Sequence, residues 1–267
     1  MAIEVTTDQG IHIITINRPE RRNALDLEHF QALADAWIDF RDDDDARVAI
    51  ITGTGRDFTV GADLKSFVPA IAGETERIAE ERAAGKANPA EAGLIAVLRE
   101  FELWKPVIAA VNGTCVAGGM EMLMGTDIRI ASTEASFGIF EPKRGLFPGG
   151  GTTVRLPRQV PFALAMEVLL VCDRIDAGTA YRMGIVNAVV EPDALLDEAR
   201  RWAAKIMANA PLAIEATKRS VLNGLRLPLK EAFEQELMEA ATVFMSEDAK
   251  EGPRAFAEKR DAVWQRK

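Results

Sequence analysis

Two acids and a pair of glycines in the middle of the chain have the residue types and the spacing to do chemistry. Gly118 and Gly119 open a helix-like segment that continues as Met120, Glu121, Met122 and Leu123. A glycine pair at a helix start lets a ligand approach the free N–H groups there, where the helix end is partly positive. Glu121 falls in that first turn, so a carboxylate stands beside donors that seek an anion. Glu141 follows in Phe137-Gly138-Ile139-Phe140-Glu141-Pro142, an acid among apolar neighbours in an irregular stretch. Such an acid is a candidate for a raised pKa, and two of them are the equipment of general acid–base chemistry. Read alone, Glu121 serves equally well to satisfy the helix dipole, and Glu141 as a turn acid.

The elements that must position these residues can be read around them. Val107–Val111 is short and wholly apolar, which suits a strand buried on both faces, and Asn112-Gly113 breaks the chain after it. Residues 3–6 and 11–17 alternate apolar and polar around Asp8-Gln9-Gly10, the pattern of a β-hairpin. Asp26 is placed to cap a helix running through Phe40, with Leu27, Phe30, Leu33, Trp37 and Phe40 on one face. Residues 48–52 form the next buried strand. Residues 58–67 read as a turn and a helix start capped by Asp63. Charged and small residues dominate 73–92, a partly ordered segment or an exposed helix. Residues 94–104 read as a helix leading to the central strand. Past Leu156 come a helix over 162–170 with Pro161 at its first position, a short helix over 176–183 and a last strand over 185–190. Helices alone follow, with starts near Pro192, Pro211, Leu229 and Asp248. Strands alternating with helices, then helices alone, give an α/β core over 1–191 and a helical tail over 192–267.

Composition removes several classes of function. The chain has 267 residues, 48% of them hydrophobic, enough for one large core, and no run approaches a membrane span. Its first ten residues lack a basic start and an apolar signal core, so a cytoplasmic location is expected. A net charge of −9 argues against nucleic acid as a partner, while leaving room for a small anionic ligand held by a local basic cluster. Cys115 and Cys172, both in apolar context, read as buried reduced thiols. His12 and His29 have neither metal-site spacing nor the placement of an activating base, and no metal is assigned. The four acids Asp42, Asp43, Asp44 and Asp45 lack the spaced ligands and glycine bend of a calcium loop. Gly149-Gly150-Gly151-Thr152-Thr153 lacks the lysine of a phosphate loop, and no G-x-S-x-G occurs.

Residues 106–156 resemble the crotonase (enoyl-CoA hydratase/isomerase) superfamily, and three further pieces share the likeness. Asn17-Arg18-Pro19 with Asn23-Ala24-Leu25 resembles the family's first loop, and Asp57-Phe58-Thr59-Val60-Gly61-Ala62-Asp63-Leu64-Lys65 its second. Residues 247–259, ending in Arg254-Ala255-Phe256-Ala257-Glu258-Lys259, resemble its C-terminal helix. Together they cover nearly the whole chain in the family's order. Two departures stand out: Glu20-Arg21-Arg22 replaces a tripeptide that is usually basic then apolar, and Ala117 replaces the first of three glycines.

The resemblance implies a crotonase-like spiral of ββα repeats, with a helical C-terminal region that closes a homotrimer or homohexamer. It implies a coenzyme A thioester as substrate, no permanently bound cofactor, and a role in fatty acid metabolism. The amides of Ala62 and Gly118 would stabilise the thioester oxyanion. Glu121 would orient and deprotonate the water that attacks C3, and Glu141 would deliver a proton to C2. CoA would lie across the first two loops, with Arg21, Arg22 and Lys65 at its phosphates. Ala24, Val60, Gly61, Asp63, Leu64 and Gly119 would complete that surface, and Phe256 and Lys259 would reach a neighbouring subunit's CoA. Thr59, Ile139, Phe140, Phe147 and residues 73–92 would shape the acyl pocket. The leading expectation is a 2-enoyl-CoA hydratase. The alternatives are an isomerase, a dehydratase of an unusual acyl-CoA, and a catalytically silent acyl-CoA-binding protein.

Overall fold

In a computed structural model, which describes residues 3–65 and 89–267, the strands sort into two sheets. The first hairpin is β1 (Ile3–Asp8) with β2 (Ile11–Ile16), as expected. Gln9 and Gly10 both take positive φ at its turn (48° and 82°), the turn geometry whose twist suits paired strands. Helix α1 (Leu27–Asp42) starts at Asp26, whose carboxylate accepts the His29 N–H, and it buries Phe30, Leu33, Trp37 and Phe40.

A repeated unit follows. β3 (Val48–Gly53) and β4 (Asp57–Thr59) precede helix α2 (Pro89–Ala96). β5 (Val107–Val111) and β6 (Thr114–Val116) precede α3 (Gly118–Leu123). β7 (Ile128–Ser132) and β8 (Ser136–Gly138) precede α4 (Thr152–Gln159) and α5 (Phe162–Met166). β9 (Ile175–Asp176), α6 (Ala177–Met183) and β10 (Ala188–Val190) close the run. In each of the three two-strand units the first strand joins a six-stranded sheet ordered β1-β2-β3-β5-β7-β10. The second joins a four-stranded sheet ordered β4-β6-β8-β9. Among the described residues only β1/β2 and β8/β9 pair antiparallel. β5 is buried at every position, which is why its sequence is apolar without alternation.

Three expectations are corrected. The helix over 94–104 ends at Ala96, because Leu98 and Glu100 both adopt left-handed φ (56° and 55°) and turn the chain out of the helix. The helix over 162–170 begins as α5 but finishes as one turn of π-helix, Glu167–Val171, and α4 already starts before Leu156. Pro161 caps α5 from outside it. Of the charged segment 73–92, residues 73–88 lie outside the described residues.

The chain divides into two compact units. The first, drawn from Met1–Glu102 and Val107–Arg200, holds both sheets. The second, Leu103–Pro106 with Arg201–Lys267, is helical, and the division falls within α7 (Leu195–Met207). It contains α8 (Pro211–Gly224), α9 (Leu229–Phe244) and α10 (Glu247–Glu258). Its C-terminal segment is tied back by Asp248, whose carboxylate accepts the Gln265 and Arg266 N–H groups at 2.7 and 3.1 Å. Leu229, Phe233 and Leu237, four residues apart on α9, are exposed in this chain.

Candidate active site

The site forms where β6 runs into α3. Ala117 stands before that helix at φ 52°, ψ −125°, and its N–H donates to the Gly138 carbonyl at 3.0 Å. The Gly118 N–H is then one of the free donors of the first turn. Against it lies the segment after β4. Leu25 donates to the Gly61 carbonyl and accepts from the Asp63 N–H, both at 2.8 Å, so the Ala62 N–H between them is left out of that pairing. Gly61, at φ +83°, is the crossing point: a Cβ there would stand 2.6 Å from the Gly118 nitrogen. A Cβ on Gly118 would in turn stand 3.6 Å from the Ala62 nitrogen. The two amides therefore border the same small space, and both residues line a cavity of about 920 Å³.

Both acids line that cavity too. Glu121 is only 8% exposed, and its Oε1 accepts the Gly150 N–H. Burial first, and then the charge of Glu141, push its pKa up to about 7. The Gly150 bond and the positive charges of Arg99 and Arg155 pull against them. Glu141 is half-buried before a short 3₁₀ turn, Pro142–Arg144, and its Oε2 accepts the Phe140 N–H at 3.0 Å. Burial raises its pKa as well, opposed by the N–H bonds at Glu141 and Phe140 and by Arg144. Glu121 is thus not a surface acid serving a helix dipole. Two carboxyl groups with raised proton affinity, sharing a cavity with two N–H donors, can move protons and stabilise an oxyanion in one enclosed space.

The rim of the cavity is basic. Arg21, Arg22 and Lys65 line it, with Ala24, Val60, Asp63 and Leu64. Arg22 is already engaged: it donates to both oxygens of Asp57 at 2.7 and 3.2 Å and to the Thr114 hydroxyl at 3.3 Å. Asp63 pairs with Arg18, which also grips Asp26 and the Ala24 carbonyl, locking the first loop to the second. Gly61 and Gly119 sit behind the wall at close backbone approaches. A Cβ on Gly119 would meet Thr59 at 2.8 Å. Phe140 and Phe147 line the cavity, whereas Thr59 and Ile139 are buried outside it. Phe256 and Lys259 belong to the second unit, where Phe256 is 87% exposed and Lys259 ends α10 with a left-handed φ of 53°.

Several lining residues escaped the sequence reading. Leu94 and Val97, spaced as neighbours on one helix face, carried an apolar signal that pointed only to core. Arg144 and Arg174 had no local signal at all. Gly150 lay in a glycine run weighed only as a phosphate loop, and nothing local marked it as the partner of Glu121.

Comparison with known proteins bears on the same residues. A family model described as enoyl-CoA hydratase/isomerase matches residues 6–267. Enoyl-CoA hydratase EchA19 of Mycobacterium tuberculosis is 43% identical, over 93% of this chain and 90% of its own. Carnitinyl-CoA dehydratase of Citrobacter koseri is 40% identical, over 94% of this chain and 93% of its own. The crystal structure of enoyl-CoA hydratase EchA1 from Mycobacterium marinum superposes with a TM-score of 0.88 at 40% identity, covering 100% of this chain and 99% of that one.

Proposed function

The chain belongs to the enoyl-CoA hydratase/isomerase family and has its fold, and from that membership and the site's geometry we propose a hydro-lyase acting on a 2-enoyl-CoA thioester. The observation that carries the reading is the meeting of Glu121 and Glu141 with the Ala62 and Gly118 amides in one cavity. The thioester carbonyl accepts both N–H groups. Glu121, ionised, takes a proton from water as its oxygen bonds to C3. The C2–C3 π electrons move into an enolate whose oxygen carries the charge, and losing one donor there typically costs about 2.7–4 kcal/mol of barrier. Glu141, protonated, gives its proton to C2, and the proton taken by Glu121 passes back to Glu141, so the sum is addition of one water. Burial raises the proton affinity of both acids, that of Glu121 to about 7, which suits groups that give and take protons. Arg21 and Lys65 are the rim cations available to the CoA phosphates, and Arg22 supports the loop through Asp57.

Two other readings have specific support. Run in reverse, the same groups remove water from a 3-hydroxyacyl-CoA, and a dehydratase is among the relatives. A trimer or hexamer, with Phe256 and Lys259 completing a neighbour's CoA site, would cover the exposed Leu229, Phe233 and Leu237. The buried free thiols of Cys115 and Cys172 suit the cytoplasm, and no helix among the described residues is long and apolar enough to cross a membrane. Retention of both glutamates speaks against a silent binding protein. Glu121→Gln and Glu141→Gln should each slow hydration of a panel of 2-enoyl-CoAs by about 10²-fold or more, read as loss of the conjugated absorbance. Near-full hydration by Glu121→Gln would refute the assignment and favour an isomerase using Glu141 alone.

A further inference from the structure

The partners of Glu121 continue outward through a chain of contacts that the proposed reaction does not use. Gly150 donates its N–H to Glu121. The preceding residue, Gly149, gives its carbonyl to the Arg99 guanidinium. Arg99 stands between Leu98 and Glu100, both held in left-handed φ. A bulky residue adopts that conformation only where its surroundings enforce it. Here the enforcing group is Arg155 of α4, which donates to the Val97 carbonyl at 3.2 Å and to the Leu98 carbonyl. Because α4 begins just after Gly151, the contacts close on themselves: carboxylate, glycine turn, Arg99, the kinked segment behind α2, Arg155 and back to the glycine turn.

We propose that Arg99 is a positioning residue for Glu121: by holding the Gly149 carbonyl it fixes the Gly150 N–H on the carboxylate and keeps that carboxylate charged beside Glu141. The inference rests on Glu121 being the base of the proposed hydration. Among the described residues the charged groups acting on Glu121 are Glu141 from the turn after β8, Arg99 from the segment after α2 and Arg155 from α4, while Arg144 faces Glu141. Of these only Glu141 disfavours the ionised form; both arginines favour it, and Arg99 alone also holds the turn that carries the donor. Its side chain is 39% exposed, so replacing it leaves the core untouched.

The test is the pH profile of Arg99→Gln. Hydration needs Glu121 ionised, so kcat/KM rises with pH through the Glu121 titration near about 7. Without the cation and with a looser Gly150 donor, that limb moves to higher pH, by roughly half to one unit. The loss is then about two- to fivefold at neutral pH and fades as pH rises, and Arg99→Lys recovers part of it. A limb that stays in place, or an equal loss at every pH that lysine does not relieve, overturns the inference. A second readout needs no turnover: the Glu121 carboxylate carbon, assigned by its disappearance in Glu121→Gln, is titrated by NMR in protein labelled at glutamate. If no 2-enoyl-CoA is hydrated, the hydratase reading fails, and the NMR titration still decides whether Arg99 sets the Glu121 equilibrium.

Discussion

Gly150→Ala is the sharpest single perturbation of the site. The backbone at Gly150 is not in the left-handed region, so alanine fits it locally, and the whole effect comes from the added methyl. That methyl would stand 2.6 Å from the Glu121 Cδ and 3.0 Å from its Cβ, where ordinary carbon contacts need about 3.5–4 Å. The carboxylate has to retreat by roughly 1 Å, and a misplacement of that size costs on the order of 10²-fold in rate, or about 2.7 kcal/mol of barrier. The fold should tolerate the change, because most of the shift falls on the flexible end of one side chain, the Glu121 Cβ giving by a few tenths of an ångström, and alanine removes about 0.4–1 kcal/mol of unfolded-state entropy. Gly149→Ala is the control, since its methyl meets nothing nearer than the Phe147 carbonyl at 3.9 Å. The assay is steady-state hydration of a short 2-enoyl-CoA beside a thermal melt. Expected is a Gly150→Ala enzyme with a melting temperature like that of wild type and about a hundredth of the activity, well below that of Gly149→Ala. If Gly150→Ala hydrates like wild type while folded, the position of Glu121 against residue 150 does not matter and the reasoning fails.

Two further outcomes are expected. Ala117→Gly should raise the melting temperature by about 2–4 °C, because φ 52°, ψ −125° strains alanine by roughly 1–3 kcal/mol, against about 0.5–1 kcal/mol for the entropy of glycine. A lower melting temperature would show that alanine is unstrained there. If the proposed trimer or hexamer forms through α9, Leu237→Asp, on a residue 69% exposed in the single chain, should lower the mass seen by light scattering toward that of a monomer. A wild-type protein that already runs as a monomer, or a mass unchanged by the substitution, would refute an interface on this face.

What the sequence by itself determined is what short-range physics encodes. The buried strands β3 and β5 are legible as unbroken apolar runs, α1 by its Asp26 cap and its apolar stripe, and the α3 start by Gly118-Gly119. The two glutamates were legible because each sits in a local motif. Tertiary structure decided the rest, since it depends on groups far apart in the chain. The three-residue strands β4, β6 and β8 exist only by pairing with one another, so no local pattern assigns them to a second sheet. Residues 97–104 keep the apolar spacing of a helix, yet Arg155 takes the Val97 and Leu98 carbonyls from 58 and 57 residues away and the chain leaves the helix. Arg22 reads as a free cation until Asp57, 35 residues on, is folded against it. The proton affinity of Glu121 likewise belongs to the fold: burial and Glu141 raise it, while Gly150, Arg99 and Arg155 restrain it, and none of these is its neighbour in sequence.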